Sequence, residues 1–436
     1  MFLMVYYTKL VQLVKFNIRE DMIMRDYSSI ARKTTRTLFF SGSIVTAGMI
    51  AIATVNSIAG ADLSGVPAWA GIPSTVVILA AALGAFGWGL LIERIGRRGS
   101  LAIGLALGAF GSILAGGAIM GGSFLVFLGG LAFVGFARSA MQLGRFAAAE
   151  VHPAETRGRA IATVVFGGTI GSILGPLLVG PIGKLATSFG VNELVGPYGI
   201  GLIFLSLATL IIFFWLRPDP TVIARELAQT EETSQGKRQA RSISETLRQP
   251  AVVVAITSMV IGQMVMIMLM VITSLYMKDH GRTLTDISLV ISSHTFGMFA
   301  FSIVSGRLVD RIGREPVILM GSIFLILASV AAGFSSNILP LAGALFLLGL
   351  GWNFCYIGGS TLLSDQLSTA EQSRMQGFND LLVGLASALG SLGSGFVFAA
   401  VGYRVMGFVG MFFAFIPLFI TTWFTQRRRQ TRTVEV

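Results

Sequence analysis

The stretch GLLIERIGRR at 89–98 sits between two long apolar runs, with Glu93, Arg94, Arg97 and Arg98 crowded together. At 306–315 the chain reads GRLVDRIGRE, nearly the same phrase. Gly89 aligns with Gly306, Glu93 with Asp310, Arg94 with Arg311, Gly96 with Gly313 and Arg97 with Arg314. The same shift carries Arg157 onto Arg374. One polar phrase written twice, at matching places in two apolar halves, marks a duplicated unit whose copies run in parallel.

Working outward, the surroundings are apolar along nearly the whole chain. Of 436 residues 54% are hydrophobic and only 12% charged, and the mean hydropathy is +0.78. A soluble domain carries roughly 25% charged residues. Apolar runs bounded by charges and turn residues predict membrane helices near 38–59, 71–91, 100–120, 123–146, 160–182, 195–216, 251–276, 286–306, 316–335, 338–362, 376–399 and 403–424. At 120–123 and 335–338 only Gly-Gly and Ser-Asn divide two runs. Each joined run is too long for one crossing, so a tight turn is expected there. The fold class is an all-α membrane protein with twelve transmembrane helices in two parallel six-helix repeats.

The expected domain plan follows from these runs. Residues 1–37 form an N-terminal segment, 38–216 one six-helix lobe, 217–250 a polar linker, 251–424 the second lobe and 425–436 a basic tail. The linker is expected to hold a short amphipathic helix around 221–230. MFLMVYYTKLVQLVKF at the start reads either as an interfacial helix or as an upstream extension, with the true start at Met22 or Met24. If the N-terminus is inside, only Lys184, Lys278, Arg282 and Arg404 fall outside and Arg138 within a span, out of 32 Lys and Arg. The positive-inside rule then places both termini in the cytoplasm and the protein in the plasma membrane. It also accounts for the net charge of +11 through the lipid bilayer as partner, without nucleic acid.

Other chemistries lack their residues. Cys355 is the single cysteine, and His152, His280 and His294 are scattered, so no metal site or disulfide framework is expected. Gly183-Lys184 is followed by Leu185, which is no phosphate loop. No enzyme activity, metal or cofactor is expected.

The paired phrases resemble the G-x-x-x-D-R-x-G-R-R/K loop of the major facilitator superfamily, found between helices two and three and again between eight and nine. The first copy has Glu93 for Asp, and the second has Glu315 where a base is usual. The resemblance covers about 38–424. It implies that the loops govern conformational exchange. Gly89 and Gly306 would let neighbouring helices approach closely. Glu93 would face the start of helix eleven, and Asp310 the start of helix five; the arginines would bind acids at helix ends, with Glu150 named for one. GTIGSILGPLLVG at 168–180 carries Gly171, Gly175 and Pro176, similar to the helix-five signature of drug/proton antiporters in that superfamily.

The resemblance further implies that helices one, four, seven and ten line a central substrate path. Thr46 and Asn56 on helix one, Arg138 and Gln142 on helix four, Gln263, Met266 and Met270 on helix seven, and Trp352, Asn353 and Tyr356 on helix ten are the polar or adaptable residues there. An arginine inside a span costs roughly 2.5–3.5 kcal/mol on insertion scales. Arg138 therefore needs a substrate anion, an acid or water, or it snorkels or props carbonyls. Asp380 reads as an embedded protonation site or as the partner of a loop arginine. His294 is either a titrating group or a hydrogen-bonded structural histidine.

The function implied is a monomeric secondary active transporter of a small molecule by alternating access. Proton-coupled efflux of drug-like or metabolite substrates leads. Uptake or exchange of an organic anion held by Arg138 is the alternative, and a non-transporting membrane sensor or scaffold is the reading of another class.

Overall fold

A computed structural model describes residues 28–152, 160–223, 241–367 and 375–427, apart from Phe86 and Ala162, together with Glu371 and Gln430. The expected N-terminal interfacial helix, most of the expected 221–230 helix, Arg157 and Arg374 lie outside the described residues; the chain at 220–223 is helical.

The membrane-length helices are α1 (Ser28–Ser64), α2 (72–95), α3 (97–121), α4 (Phe124–Glu150), α5 (Thr163–Ser188), α6 (Val195–Trp215), α7 (Pro250–Asp279), α8 (Leu284–Ile312), α9 (Arg314–Ala332), α10 (Ile338–Asp365), α11 (375–401) and α12 (403–427). Among the described residues, eleven continuous stretches are apolar and long enough to cross a membrane, and the last, Met375–Arg427, is broken at Gly402, which makes twelve crossings. Several helices overrun the expected ends, since hydropathy marks only the apolar part and polar turns continue beyond it.

The breaks are written by glycine. Gly122 closes α3 at φ 69°, the tight turn expected at 120–123. Gly96 stands at φ 80° between α2 and α3, and Gly313 at φ 96° between α8 and α9. These are matching positions of the repeated phrase, in a region that glycine enters without steric penalty. By contrast, among the described residues Gly89 and Gly306 have no neighbour within 4 Å of where a Cβ would sit.

Helix packing makes two lobes, α1–α6 and α7–α12. Gly171 presses α5 against α1: a Cβ there would collide with the Ser43 carbonyl and lie 2.8 Å from the Ala47 amide nitrogen. Gly175 packs on Ala47 in the same way, its absent Cβ 2.9 Å from the Ala47 Cα. Small residues let backbones approach in lipid, where apolar burial gives no drive. Gly297 and Gly349 bring α8 and α10 together similarly.

Candidate functional site: the cleft between the lobes

The packing differs between the two ends of the bundle. At the end away from the linker, one apolar core runs through both lobes, joining Ile52, Val55 and Tyr198 to Leu269, Ile291 and Leu345. At the linker end the cores are separate: one holds Leu38, Leu101, Met141 and Leu205, the other Val252, Met259, Ile318 and Leu363. The lobes thus meet at the far end and part towards the linker.

Polar contacts reinforce the far-end closure. Lys278 Nζ lies 2.6 Å from Asp62 Oδ2, tying α7 to α1. Ser391 Oγ donates to the Gly71 carbonyl at 3.0 Å, and Thr75 Oγ1 reaches the Ala388 carbonyl at 3.4 Å. Gly180 packs on Thr285, with its absent Cβ 2.8 Å from the Thr285 Cα. The sequence held no signal for these pairs, whose partners come from opposite lobes.

The walls of the cleft follow from helical spacing. On α4, Arg138 and Gln142 are exposed and Arg145 half-buried, while Leu131 and Val134, further along that side, are buried. The stripe is covered where the lobes meet and open where they part. Arg138 therefore lies deep in the molecule yet exposed, at the inner end of the opening. Among the described residues it has no hydrogen-bond or ion-pair partner. Arg145 lies about 10 Å nearer the linker end, at 1.5 Å per residue. Its Nη2 approaches Asp380 Oδ2 of the other lobe at 3.8 Å.

The second lobe holds an aromatic cluster. Trp352 and Tyr356 stack with centroids 5.0 Å apart and planes 18° apart. Trp352 Nε1 donates to Gln263 Oε1 at 2.6 Å, which fixes the indole across from α7. Phe299 meets Trp352 edge-on at 6.0 Å.

Other expected lining residues turn elsewhere. Asn56 is buried and accepts from the Tyr198 hydroxyl at 2.8 Å, inside the first lobe. Asn353 is buried, donates to the Met298 carbonyl at 2.6 Å, and bonds Ser305 and Ser302. Both amides satisfy themselves in helix packing, since a buried polar group left unpaired is costly. Met266 belongs to the shared core and Met270 packs against it. Thr46 is half-buried against Gly168 of α5. His294 is fully buried between α8 and α10, its Nδ1 2.9 Å from the Leu345 carbonyl. The Asp380 side chain is 53% exposed.

The repeated phrases organise the linker end. Arg97 forks onto Glu150 at the end of α4, with Nε to Oε2 at 3.0 Å. Arg314 pairs with Asp365 at the end of α10, with Nε to Oδ2 at 2.7 Å. The two lobes repeat this ion pair as they repeat the phrase. Asp219 accepts from the Arg97 and Arg98 amides at 3.2 and 3.1 Å, an acid at the positive start of α3. Glu93, Arg94, Asp310 and Arg311 are exposed. Among the described residues neither Glu93 nor Asp310 has a hydrogen bond or ion pair. At the helix starts they are expected to face, residues 153–159 and, apart from Glu371, 368–374 lie outside the described residues. Glu371, 2% exposed, is gripped by Arg241 of the linker, Nε to Oε1 at 2.6 Å and Nη2 to Oε2 at 2.8 Å. That hydrogen bonding holds the Arg241 guanidinium above its ordinary pKa.

A family model described as Major Facilitator Superfamily matches residues 38–283 and 254–435. The chain belongs to the major facilitator superfamily. Among its relatives is an uncharacterized MFS-type transporter, YdeG, of Bacillus subtilis, 34% identical over 91% of this chain and 92% of that one. The riboflavin transporter RfnT of Brucella anthropi is 28% identical over 82% of this chain and 87% of that one. The fold resembles that of a bacterial homolog of the human lysosomal transporter Spinster, solved inward-facing and unoccupied, with TM-score 0.68 and 14% identity over 90% of this chain and 96% of that one. The superfamily is one of transporters rather than enzymes, so the cleft is read as a passage for a small molecule.

Proposed function

We propose that this major facilitator protein is a secondary active transporter that carries a small aromatic organic molecule by alternating access. The reading is supported by lobes that meet at one end and part at the other, by the Trp352–Tyr356 stack of the second lobe, and by exposed Arg138 of the first, which has no partner among the described residues; the stack and Arg138 are proposed to face each other across the cleft. Aromatic faces take planar apolar bodies, and the name of the riboflavin relative accords with such a cargo. Both termini and the linker are proposed to be cytoplasmic, in the plasma membrane, from the basic residues at that end. The cleft as described is then open inward.

Proton-coupled efflux of drug-like or metabolite compounds is the leading direction. Its support is the Gly171–Gly175–Pro176 signature, which packs α5 on α1. Asp380 is proposed as the coupling acid, since protonating it removes its attraction to Arg145 and loosens the bond between the lobes at the cleft mouth. A second reading, exchange or uptake of an organic anion, is favoured by Arg138. A guanidinium fork without a protein acid fits a carboxylate or phosphate.

The test is flux in liposomes with an imposed pH gradient and labelled aromatic cations, anions and neutral compounds. Accumulation driven by the gradient supports the proposal. Flux unchanged when the gradient is collapsed removes the proton coupling, and no flux for any aromatic compound removes the cargo class.

A further inference from the structure

A second site lies away from the cleft, in the groove between the start of α1 and the end of α6. It encloses a cavity of about 660 Å³ lined by Arg32, Lys33, Arg36, Phe40, Ile211 and Trp215 among others. Arg32 and Arg36 stand one helical turn apart with Lys33 beside them, and all three are exposed. Like charges at i and i+4 repel. Among the described residues neither Arg32 nor Arg36 has a hydrogen bond or ion pair. Lys33 Nζ donates to the Arg217 carbonyl at 3.1 Å. Among the described residues the groove thus gathers positive charge, and no acid lines it.

Phe40, Ile211 and Trp215 make the apolar part of the lining. Trp215 and Phe40 are each 58% exposed, and the α6 face continues away from the linker end with exposed Leu207 and Ile203. Cations beside an exposed tryptophan, at the end of a membrane helix, mark the headgroup level of a bilayer. One molecule offers both a phosphate for the arginines and a chain for this apolar strip.

We propose that the α1–α6 groove is a binding site for an anionic phospholipid, with its phosphate on Arg32, Lys33 and Arg36 and an acyl chain along Phe40, Ile211 and Trp215. Free phosphate satisfies the cations but leaves the apolar wall empty, so the lipid is the occupant the groove fits. The site is independent of the cargo carried in the cleft.

The full chain, purified in detergent, is titrated with phosphatidylglycerol, with phosphatidylcholine and with inorganic phosphate, and bound lipid is read by native mass spectrometry. Phosphatidylglycerol should be retained over phosphatidylcholine. Arg32→Gln and Arg36→Gln should each weaken that retention by on the order of fivefold, and the double variant should lose the preference. Arg36→Lys should keep most of it. Arg404→Gln, at the far end, should leave it unchanged. Trp215→Ala should weaken both lipids, because it removes apolar wall and no charge. If the double variant does not fold, the single variants carry the same reading. Equal retention of the two lipids overturns the proposal, as does an unchanged preference in the arginine variants. Displacement of the lipid by inorganic phosphate also overturns it, since the groove is then a soluble-anion site.

Discussion

Arg145 of α4 and Asp380 of α11 face each other across the cleft mouth at 3.8 Å, one from each lobe. Their side chains are 39% and 53% exposed, so water screens the pair and its worth is about 1 kcal/mol or less. A contact of that strength can join the lobes and still break within each transport cycle.

Asp380→Asn should therefore change stability little, by under about 1 kcal/mol, while uncoupling flux from the pH gradient. Thermal unfolding in detergent and gradient-driven uptake in liposomes measure the two effects. Full coupling in Asp380→Asn would exclude it as the proton site.

Arg138→Ala should abolish transport of an anionic substrate. Loss of hydrogen bonds to a charged group is worth roughly 1.5–3 kcal/mol, or about 10- to 150-fold in affinity. The variant should fold at least as well as the parent, because Arg138 has no protein partner among the described residues. Arg138→Lys should fall between them. Equal loss of anion and cation flux, in step with lower expression, would make Arg138 structural.

Asp62→Asn and Glu93→Ala should push the conformational balance in opposite directions. Asp62 is engaged with Lys278 at the closed far end, at 2.6 Å. Glu93 is exposed at the open end and is proposed to work only when that end closes. Each contact at about 1 kcal/mol shifts the balance roughly fivefold. Spin-label distances across each end read the populations. Shifts of the same sign in both variants would contradict this assignment.

Gly171→Ala should destabilise by about 1–3 kcal/mol, as overpacking does, because its Cβ would enter the α1 backbone at Ser43 and Ala47. Gly117→Ala, in α3 with open space around it, should be neutral or stabilising by roughly 0.5–1 kcal/mol. Thermal melts of the two variants side by side test the helix contact directly.

Twelve crossings and the parallel duplication were legible in the sequence. Each rests on local composition or on a repeated phrase, and neither depends on which helices touch. The spacing on α4 likewise put Arg138 and Gln142 on one side, because 3.6 residues per turn is a local rule. Family membership was legible from GLLIERIGRR and GRLVDRIGRE. The need for glycine at 96 and 313 was present in that phrase, but its reason, a positive φ, emerged only with the backbone.

Tertiary structure alone decided which polar residues face the cleft. Asn56 and Asn353 have the right helices and the wrong direction, since Tyr198 and Ser305 offer them partners inside the lobes. Trp352 joins Gln263, Arg145 joins Asp380, Lys278 joins Asp62 and Arg241 grips Glu371, each across helices far apart in the chain. Hydropathy and periodicity sum over neighbours along one helix. A partner across the bundle depends on which lobe ends pack together, and that is fixed by long-range burial such as the core that runs through both lobes at the far end.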